Sequence, residues 1–145
     1  MLFEANSMNE EFKGAICLTG YIDTFYDLYF TSKRVIVAKT GTPYGLALTL
    51  PVVGYMVEEH NREKKSKEYK ELPFDDILKG DKKNFEIPFS EISKIEMKKP
   101  GLIVGTKIIF YTKDKKMVFY IKEKGAYAEH VTIVSSVLKD KLTLI

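Results

Sequence analysis

Residues 106–121 read TKIIFYTKDKKMVFYI, two β-forming runs joined by a charged turn. The runs, Thr106 to Thr112 and Met117 to Ile121, are rich in Ile, Val, Phe and Tyr, which favour strands. The link Lys113-Asp114-Lys115-Lys116 is short and polar, as a hairpin turn requires. The stretch therefore predicts an antiparallel β-hairpin.

The segment after this hairpin, Gly125 to Leu142, changes its hydrophobic period. Large apolar residues recur there every three or four positions, which is the pattern of an amphipathic helix. They are Tyr127, Val131, Val134, Leu138 and Leu142. We expect one helix that packs this face over an open end of the β structure.

Strand patterns also precede the hairpin. They cover Ala15 to Ile22, Asp27 to Thr31, Arg34 to Thr40, Phe85 to Phe89 and the alternating pair Ile95 and Met97. The run Val35-Ile36-Val37-Ala38 is apolar at every position, which predicts a strand covered on both faces. Because strands and helices do not alternate, a doubly wound fold is not expected. We expect a mainly β (α+β) fold of about seven antiparallel strands.

The stretch Thr42 to Asn84 interrupts the β pattern. Within it, Glu58 to Glu71 carries five acidic and five basic residues, a density of Glu and Lys that favours helix. Pro73 to Gly80 has acids early and glycine at its end, as in one short helical turn. We interpret 42–84 as a partly helical insert in a single domain that spans 1–145.

Three stretches resemble the pleckstrin-homology-like (PH-like) superfamily, particularly its prokaryotic PH-like and GRAM-like members. They are Tyr29 to Val37 (YFTSKRVIV), Phe85 to Glu96 (FEIPFSEISKIE) and the hairpin from Lys107 to Lys122 that leads into the last helix. The resemblance implies a barrel of two near-orthogonal antiparallel sheets closed by a C-terminal helix. It also implies a binding or scaffolding role, because members of this superfamily are rarely enzymes.

Lipid-binding members of the superfamily hold inositol phosphates with a basic loop between the first two strands. The corresponding stretch here, Ile22 to Asp27, has two acidic residues and no basic one. An anionic headgroup would meet like charge at this loop. We therefore expect no specific inositol phosphate recognition there.

Length and composition fit one domain. At 145 residues, the chain can bury a core of its own. The formal net charge of +3 is too small to indicate a nucleic-acid partner by itself. The single cysteine, Cys17, excludes an internal disulfide and suggests a reducing compartment. With no signal-peptide pattern and no run of about 20 apolar residues, we expect a cytoplasmic protein, with peripheral attachment to a membrane as the alternative.

No catalytic or metal-binding pattern is present in the sequence. His60, His130 and Cys17 have no spacing that predicts a metal site or a nucleophile–base pair. The pair Asp75-Asp76 is explained by the preference of acids for a helix N-terminus. No glycine-rich phosphate loop occurs. We expect no enzyme activity, no catalytic residue, no metal, no cofactor and no small-molecule substrate.

The apolar stretch Tyr44 to Val57 is the strongest functional feature of the sequence. Fourteen helical residues would span about 21 Å, less than the ~30 Å of a bilayer core, and Pro51 would interrupt the helix. The stretch can pack on its own barrel, pair with another subunit or enter a membrane interface. We expect a protein interface formed by Tyr44, Leu46, Leu48, Leu50, Val52, Val53 and Met56.

Lysines concentrate between Lys79 and Lys124, where there are twelve lysines and six acidic residues. A candidate basic surface consists of Lys98, Lys99, Lys113, Lys115 and Lys116. Lysines at strand edges also prevent aggregation. Four converging lysines would contribute about 4 kcal/mol to binding an anionic membrane, which corresponds only to a millimolar dissociation constant.

The aromatic pairs Phe110-Tyr111 and Phe119-Tyr120 lie close to these lysines, as on surfaces that bind single-stranded nucleic acid. Because adjacent strand residues face opposite ways, one residue of each pair is expected in the core. The sequence as a whole predicts a non-enzymatic binding or scaffolding module that acts through protein–protein contact or homo-oligomer formation. Peripheral binding to an anionic membrane is the alternative, and nucleic-acid binding is less favoured.

Overall fold

The computed structural model describes residues 10–22, 24–42, 51–101, 105–123 and 125–145, with the backbone alone described for 51–60. Eight strands are β1 (Phe12–Tyr21), β2 (Thr24–Thr31), β3 (Arg34–Gly41), β4 (Phe85–Pro88), β5 (Ile92–Lys98), β6 (Thr106–Thr112), β7 (Lys116–Ile121) and β8 (Leu142–Leu144). Three α-helices are α1 (Pro51–Lys70), α2 (Phe74–Lys79) and α3 (Tyr127–Leu138). Short 3-10 helices cover Phe89–Glu91 and Lys139–Lys141. The predicted mainly β class is confirmed.

The strands form one hydrogen-bonded sheet in the order β4-β3-β2-β1-β7-β6-β5-β8. Neighbouring strands are antiparallel except for β5 and β8, which run parallel. The hairpin predicted from the quoted stretch is β6 and β7, with Tyr111 opposite Lys116 beside the turn. The middle of the sheet is the pairing of β1 with β7.

The sheet is strongly curled. In the strand order five strands lie between β4 and β5, so a flat sheet would separate those two strands by about 29 Å. In the chain, only the three residues Phe89–Glu91 connect Pro88 to Ile92, a step of at most about 15 Å. The carbonyl of Phe89 also accepts a hydrogen bond from Lys141 Nζ at 2.9 Å, which joins the end of β4 to the start of β8. The two ends of the sheet therefore lie near each other.

One hydrophobic core fills the inside of this curl. Strands β1 to β7 and helix α3 all contribute to it, and its members include Ile16, Leu28, Val37, Ile87, Met97, Phe119 and Val134. The rings of Phe30 on β2 and Phe110 on β6 lie 6.4 Å apart across it. Because strands far apart in the sheet share one core, burial of apolar surface holds the curl.

Helix α3 packs the predicted residues onto that core. Val134 and Leu138 are buried, and Tyr127 and Val131 pack beside them. The helix approaches β1 closely at Gly14, where an added Cβ would lie 2.7 Å from the side chain of Ile133. The helix ends at Leu138, earlier than predicted, because Leu142 pairs with Ile95 as the first residue of β8.

The prediction of two sheets and about seven strands differs from the structure, which has one sheet of eight strands. The eighth strand is β8, which lies where the end of the last helix was predicted, and the single sheet is due to β1, whose second half pairs with β2 on one side and with β7 on the other. Its register shifts between Ile16 and Thr19, and Leu18 has a positive φ of 56°. Such a bulge bends a strand and increases its twist without ending its pairing. One bent strand thus joins what were expected to be separate sheets.

Helices α1 and α2 lie in the predicted insert and cover the outer face of β2 and β3. Tyr69 and Ile77 pack there against Tyr29, Ile36 and Ala38. The prediction that the Val35–Ala38 run is covered on both faces is therefore confirmed. Helix α1 is described from Pro51 onward, and residues 43–50 lie outside the described residues, so the predicted interruption at Pro51 stays a prediction.

Candidate functional site

The outer face of β5, β6 and β7 carries three rows of side chains set by the strand register. The rows are Lys98, Lys107 and Tyr120; Glu96, Ile109 and Val118; and Lys94, Tyr111 and Lys116. We call the surface formed by Lys94, Lys98, Lys107, Lys116, Tyr111 and Tyr120 the Lys–Tyr face. The residues between them in sequence, such as Phe110 and Phe119, are buried in the core. This confirms that each aromatic pair has one member facing inward.

Lysines and tyrosines are in contact on this face. The ammonium group of Lys107 lies 5.3 Å from the ring centroid of Tyr120, which is 46% exposed. The ring of Tyr111 has Lys94 Nζ at 5.5 Å and Lys116 Nζ at 5.6 Å. Such cation–π contacts each contribute about 0.5–1 kcal/mol at exposed positions. They also fix where the ammonium groups stand above the sheet.

Glu96 is the acidic residue of this face, and it is already paired. The hydroxyl of Tyr111 donates to Glu96 Oε1 at 2.5 Å, and Lys94 Nζ lies 3.0 Å from Glu96 Oε2. The hydrogen bond from Tyr111, and then the one from Lys94, lowers the pKa of Glu96 below its ordinary value. The same bond raises the pKa of Tyr111. Four lysines therefore face one carboxylate that has its own partners.

The predicted basic surface is not one patch. Lys98 and Lys99 lie at the end of β5, next to the start of β6. Lys113, Lys115 and Lys116 lie at the turn between β6 and β7, which is the other end of the same strands. The two groups are about 14 Å apart along the sheet. Of the predicted five residues, only Lys98 and Lys116 belong to the Lys–Tyr face.

Sequence reasoning missed Lys94 and Lys107, which connect the two ends of the face. A search for runs of neighbouring lysines overlooks Lys94 and Lys107, because residues that share one face of a sheet are two apart in a strand. The triplets Lys94-x-Glu96-x-Lys98, Lys107-x-Ile109-x-Tyr111 and Lys116-x-Val118-x-Tyr120 carry that signal. Lys115 points elsewhere, since its ammonium lies 5.9 Å from the ring centroid of Phe85 on β4.

The predicted protein interface lies mostly outside the described residues. Tyr44, Leu46, Leu48 and Leu50 fall in 43–50, which the structure does not describe. Val52, Val53 and Met56 are part of α1, in the portion where the backbone alone is described. The interface therefore stays a prediction.

The predicted loop between the first two strands is shorter in the structure. Ile22, with a positive φ of 58°, follows β1, and Thr24 already belongs to β2, while Asp23 lies outside the described residues. Asp27 is a buried strand residue whose carboxylate accepts hydrogen bonds from Tyr29 Oη at 2.7 Å and from Ser66 Oγ. Asp27 therefore ties α1 to the sheet instead of facing a ligand.

A second charged cluster surrounds Arg34 at the start of β3. Its guanidinium contacts Glu10 at 2.8 Å, Asp75 at 2.9 Å and Glu86 at 2.9 Å. Burial of the guanidinium opposes its charge, but the hydrogen bonds that it donates to these three carboxylates raise the pKa of Arg34. The cluster joins the chain before β1 to α2 and β4, which is a structural role. It also gives Asp75 a function beyond the predicted helix N-terminus.

Of the residues considered for catalysis, Cys17 lies on β1 and His130 on α3, and the side chain of His60 lies outside the described residues. Burial, followed by the nearby carboxylate of Asp27, raises the pKa of the Cys17 thiol to about 12, so the thiol stays protonated at neutral pH. His130 is buried and contacts Glu123 at 2.9 Å. Within the described ranges, no group of three or more His, Cys, Asp or Glu residues is placed to hold a metal ion.

Comparisons with known proteins give likeness at the level of solved structures. Neither protein-family models nor curated proteins match the chain. Among solved structures, the chain is similar to the hSac2 domain from human phosphoinositide phosphatase Sac2, with 13% sequence identity and a TM-score of 0.46. The alignment covers 99% of this chain and 84% of that one. A likeness at this level assigns neither a fold family nor a function.

The helices were also compared with the length of a bilayer. In the portion of the chain that the structure describes, no helix combines the length and the apolar character needed to cross a membrane.

Proposed function

We propose that this chain is a non-enzymatic cytoplasmic binding module that recognises an acidic segment of a protein partner through the Lys–Tyr face. The observation that carries the proposal is the arrangement of four lysines and two tyrosines on one outer sheet face, around a single glutamate that is already paired. A partner with carboxylates would find ammonium groups at positions fixed by the strand register. Such complementarity mainly sets specificity and association rate.

The proposal includes membership of the PH-like superfamily. It is supported by the sheet order, by the curl that brings β4 next to β5, and by a C-terminal helix docked on the core. On this reading the single curled sheet, with the bent strand β1 at its middle, takes the place of the two separate sheets of the superfamily. The two resembling stretches Tyr29 to Val37 and Phe85 to Glu96 then cover the β2–β3 hairpin and the β4–β5 connection.

A protein partner is favoured over an anionic membrane because the face lacks residues that enter a bilayer. Its aliphatic members are Ile109, which is buried, and Val118, which is half-buried. Without such insertion, lysines bring about 1 kcal/mol each, which is too little for stable attachment. Acidic peptides need no insertion and gain from several close ion pairs.

A protein partner is also favoured over single-stranded nucleic acid. Bases bind such surfaces by stacking on open aromatic rings. Here the ring of Tyr111 has an ammonium group from Lys94 and another from Lys116 close to it, and Lys107 stands over Tyr120. Stacking would require these lysines to move away.

The test compares three anionic probes: a fluorescent decaglutamate peptide, phosphatidylcholine–phosphatidylserine vesicles and an oligo-dT strand. We expect the peptide to bind most tightly, with an affinity that falls as salt is raised. The triple variant Lys94→Glu, Lys107→Glu, Lys116→Glu should weaken peptide binding by about tenfold or more, since exposed pairs contribute up to about 1 kcal/mol each.

The matched control is Lys64→Glu, Lys79→Glu, Lys82→Glu, which changes the net charge equally at exposed sites away from this face. The control should bind the peptide nearly as well as the wild type does. Equal losses in both triple variants would show that only net charge matters. Tighter binding of vesicles or of oligo-dT than of the peptide would assign the face to those ligands instead.

Self-association through Tyr44 to Val57 also remains a prediction of the sequence. The segment is apolar and uncharged, and a second subunit would cover it. Leu48→Glu and Val53→Glu should then lower the mass measured by light scattering while the circular dichroism spectrum is unchanged. A wild-type protein that is monomeric at high concentration would refute it.

A further inference from the structure

A cavity of about 450 Å³ lies on the side of the sheet opposite the core, between β1, β2 and the helices of the insert. It is lined by Phe12, Ala15, Tyr29, Tyr69, Leu72, Phe74 and Ile77, with Lys70 also at its wall. We propose that this cavity binds an amphipathic carboxylate, such as a medium-chain fatty acid, with the tail among the aromatic rings and the carboxylate at Lys70. The site is separate from the Lys–Tyr face.

The size and lining of the cavity fit a small apolar ligand. Its volume falls in the range of about 300–1,000 Å³ that is usual for ligand sites. Phe12 and Leu72 are 53% and 40% exposed, so apolar surface is open to solvent at the cavity. Tyr29, Tyr69 and Ile77 behind them are buried. A tail that enters would remove apolar surface of both partners from water, which is favourable.

The two tyrosines present carbon to the cavity, because both hydroxyls are used elsewhere. Tyr29 Oη donates to Asp27 at 2.7 Å. Tyr69 Oη donates to the carbonyl of Lys39 at 2.6 Å and accepts from Asn84 Nδ2 at 3.3 Å. Burial is the main cause that raises the pKa of both tyrosines, so both remain neutral. Neither hydroxyl is free to bind a polar ligand.

Lys70 is the one charged residue of the lining, and it is the last residue of α1. In the described part of the chain no carboxylate pairs with it. Asp27 lies in the same region, because its carboxylate and the ammonium of Lys70 both act on the pKa of Cys17. However, Asp27 already accepts hydrogen bonds from Tyr29 and Ser66.

An apolar wall with one unpaired ammonium group selects the chemistry of the ligand. A neutral alkane or alcohol would use the wall and leave the ammonium unpaired. A cationic amphiphile would be repelled by Lys70. A carboxylate on an apolar tail uses both, and its hydrogen bond with an ammonium is of the stronger, charge-assisted kind.

The test titrates the full chain with decanoate, 1-decanol and decyltrimethylammonium by calorimetry, below the micelle-forming concentrations of the two ions and below the solubility limit of 1-decanol. We expect one decanoate per chain, bound about three- to fivefold more tightly than the other two, because Lys70 is exposed and an ion pair there contributes up to about 1 kcal/mol. Proton NMR should show contacts between the terminal methyl group of decanoate and the rings of Tyr69 and Phe74.

Lys70→Glu should weaken decanoate binding by about tenfold or more and leave 1-decanol unaffected. Lys67→Glu, an exposed change on the same helix outside the lining, is the matched control and should change decanoate binding by less than about twofold. Ala15→Phe should block both ligands by filling the cavity. If that variant fails to fold, the NMR contacts and the Lys70 and Lys67 pair still decide the question.

Equal affinity for decanoate and 1-decanol, or equal losses in Lys70→Glu and Lys67→Glu, would refute a role for Lys70. Absence of decanoate binding would refute the site as a whole. Tighter binding of acetyl-Phe-Glu than of decanoate would assign the cavity to a peptide side chain and overturn the proposal as well.

Discussion

Two regions on the outer face of the curled sheet differ in what covers them. Over β2 and β3, helices α1 and α2 bury Tyr29, Ile36 and Ala38. Over β5, β6 and β7, Lys94, Lys116 and Tyr120 face solvent. Both regions use β-forming sequence, but only the first is apolar on both sides of its strands. The lesson is that the outward residues of a strand, more than its β propensity, tell whether the fold supplies a cover.

The largest effect that this comparison predicts comes from a matched pair of tyrosines. Tyr69→Ala removes a buried ring of α1 that packs on the outer face of β2 and β3, together with its hydrogen bonds to Lys39 and Asn84. The variant should lower the free energy of unfolding by about 3–5 kcal/mol. Tyr111→Ala on the open face should cost less than about 1 kcal/mol. Urea denaturation measures both. Similar losses in the two variants would erase the distinction between the faces.

The second prediction concerns the reactivity of Cys17, which lies on β1 close to Asp27. Because burial and Asp27 raise its pKa to about 12, the thiolate fraction at pH 8 is about a thousandfold lower than for a thiol with pKa 9. Iodoacetamide should therefore react slowly, with a rate that still rises tenfold per pH unit up to pH 10. Asp27→Asn should speed the reaction. A plateau in the rate below pH 9 would contradict this environment for Cys17.

A smaller loss of stability is expected when helix α2 loses its ion pair with Arg34 at the start of β3. Arg34→Met leaves buried Glu10 with the hydrogen bond from Thr31 but without its cationic partner, and it releases Asp75 of α2. Two of the three carboxylates are well exposed, so we expect a loss of about 2 kcal/mol rather than the full cost of a buried pair. Lys33→Met is the exposed neighbour used as control, and urea denaturation should show it close to wild type. Equal midpoints for both would mean that the Arg34 cluster does not hold α2.

The smallest effect concerns the pH dependence of the stability that Glu96 contributes on the Lys–Tyr face. The pKa of Glu96 is lowered in the folded protein, so its contribution to stability is complete above its unfolded pKa and is lost as pH falls through the folded pKa. Tyr111→Phe removes the first cause, and the pKa of Glu96 measured by NMR should move up toward its ordinary value. No movement of that pKa in Tyr111→Phe would show that Lys94 alone sets it.

Local patterns predicted much of the fold. The alternation in β6 and β7, the period of α3 and the doubly apolar run of β3 each specify an element and the faces it buries. The formation of one continuous sheet could not be predicted in the same way. It depends on a β-bulge at Leu18, and the residue types there do not indicate a bulge. The pairing of Leu142 with Ile95 is likewise a tertiary effect that ends a helical period early.

The candidate site was predictable only in part for a related reason. Neighbouring lysines such as Lys98 and Lys99 attract attention in a sequence, whereas a sheet face is built from alternate residues on different strands. Lys94 and Lys107 belong together only because β5 and β6 pair in one register. The cavity beside Lys70 needed the packing of α1 and α2 on β1 and β2, which the sequence does not encode locally.

The position of β1 in the sheet also determines the order in which the strands can pair during synthesis. Thr19 pairs with Ile121, on the order of 100 residues later in the chain, and this ladder joins the two halves of the sheet. On a ribosome, β1 emerges early and waits with one edge unpaired until β7 has been made. Since synthesis adds about 5–20 residues per second, that edge is open for several seconds. Closing so long a loop also slows refolding of the whole chain, which we expect in milliseconds to seconds.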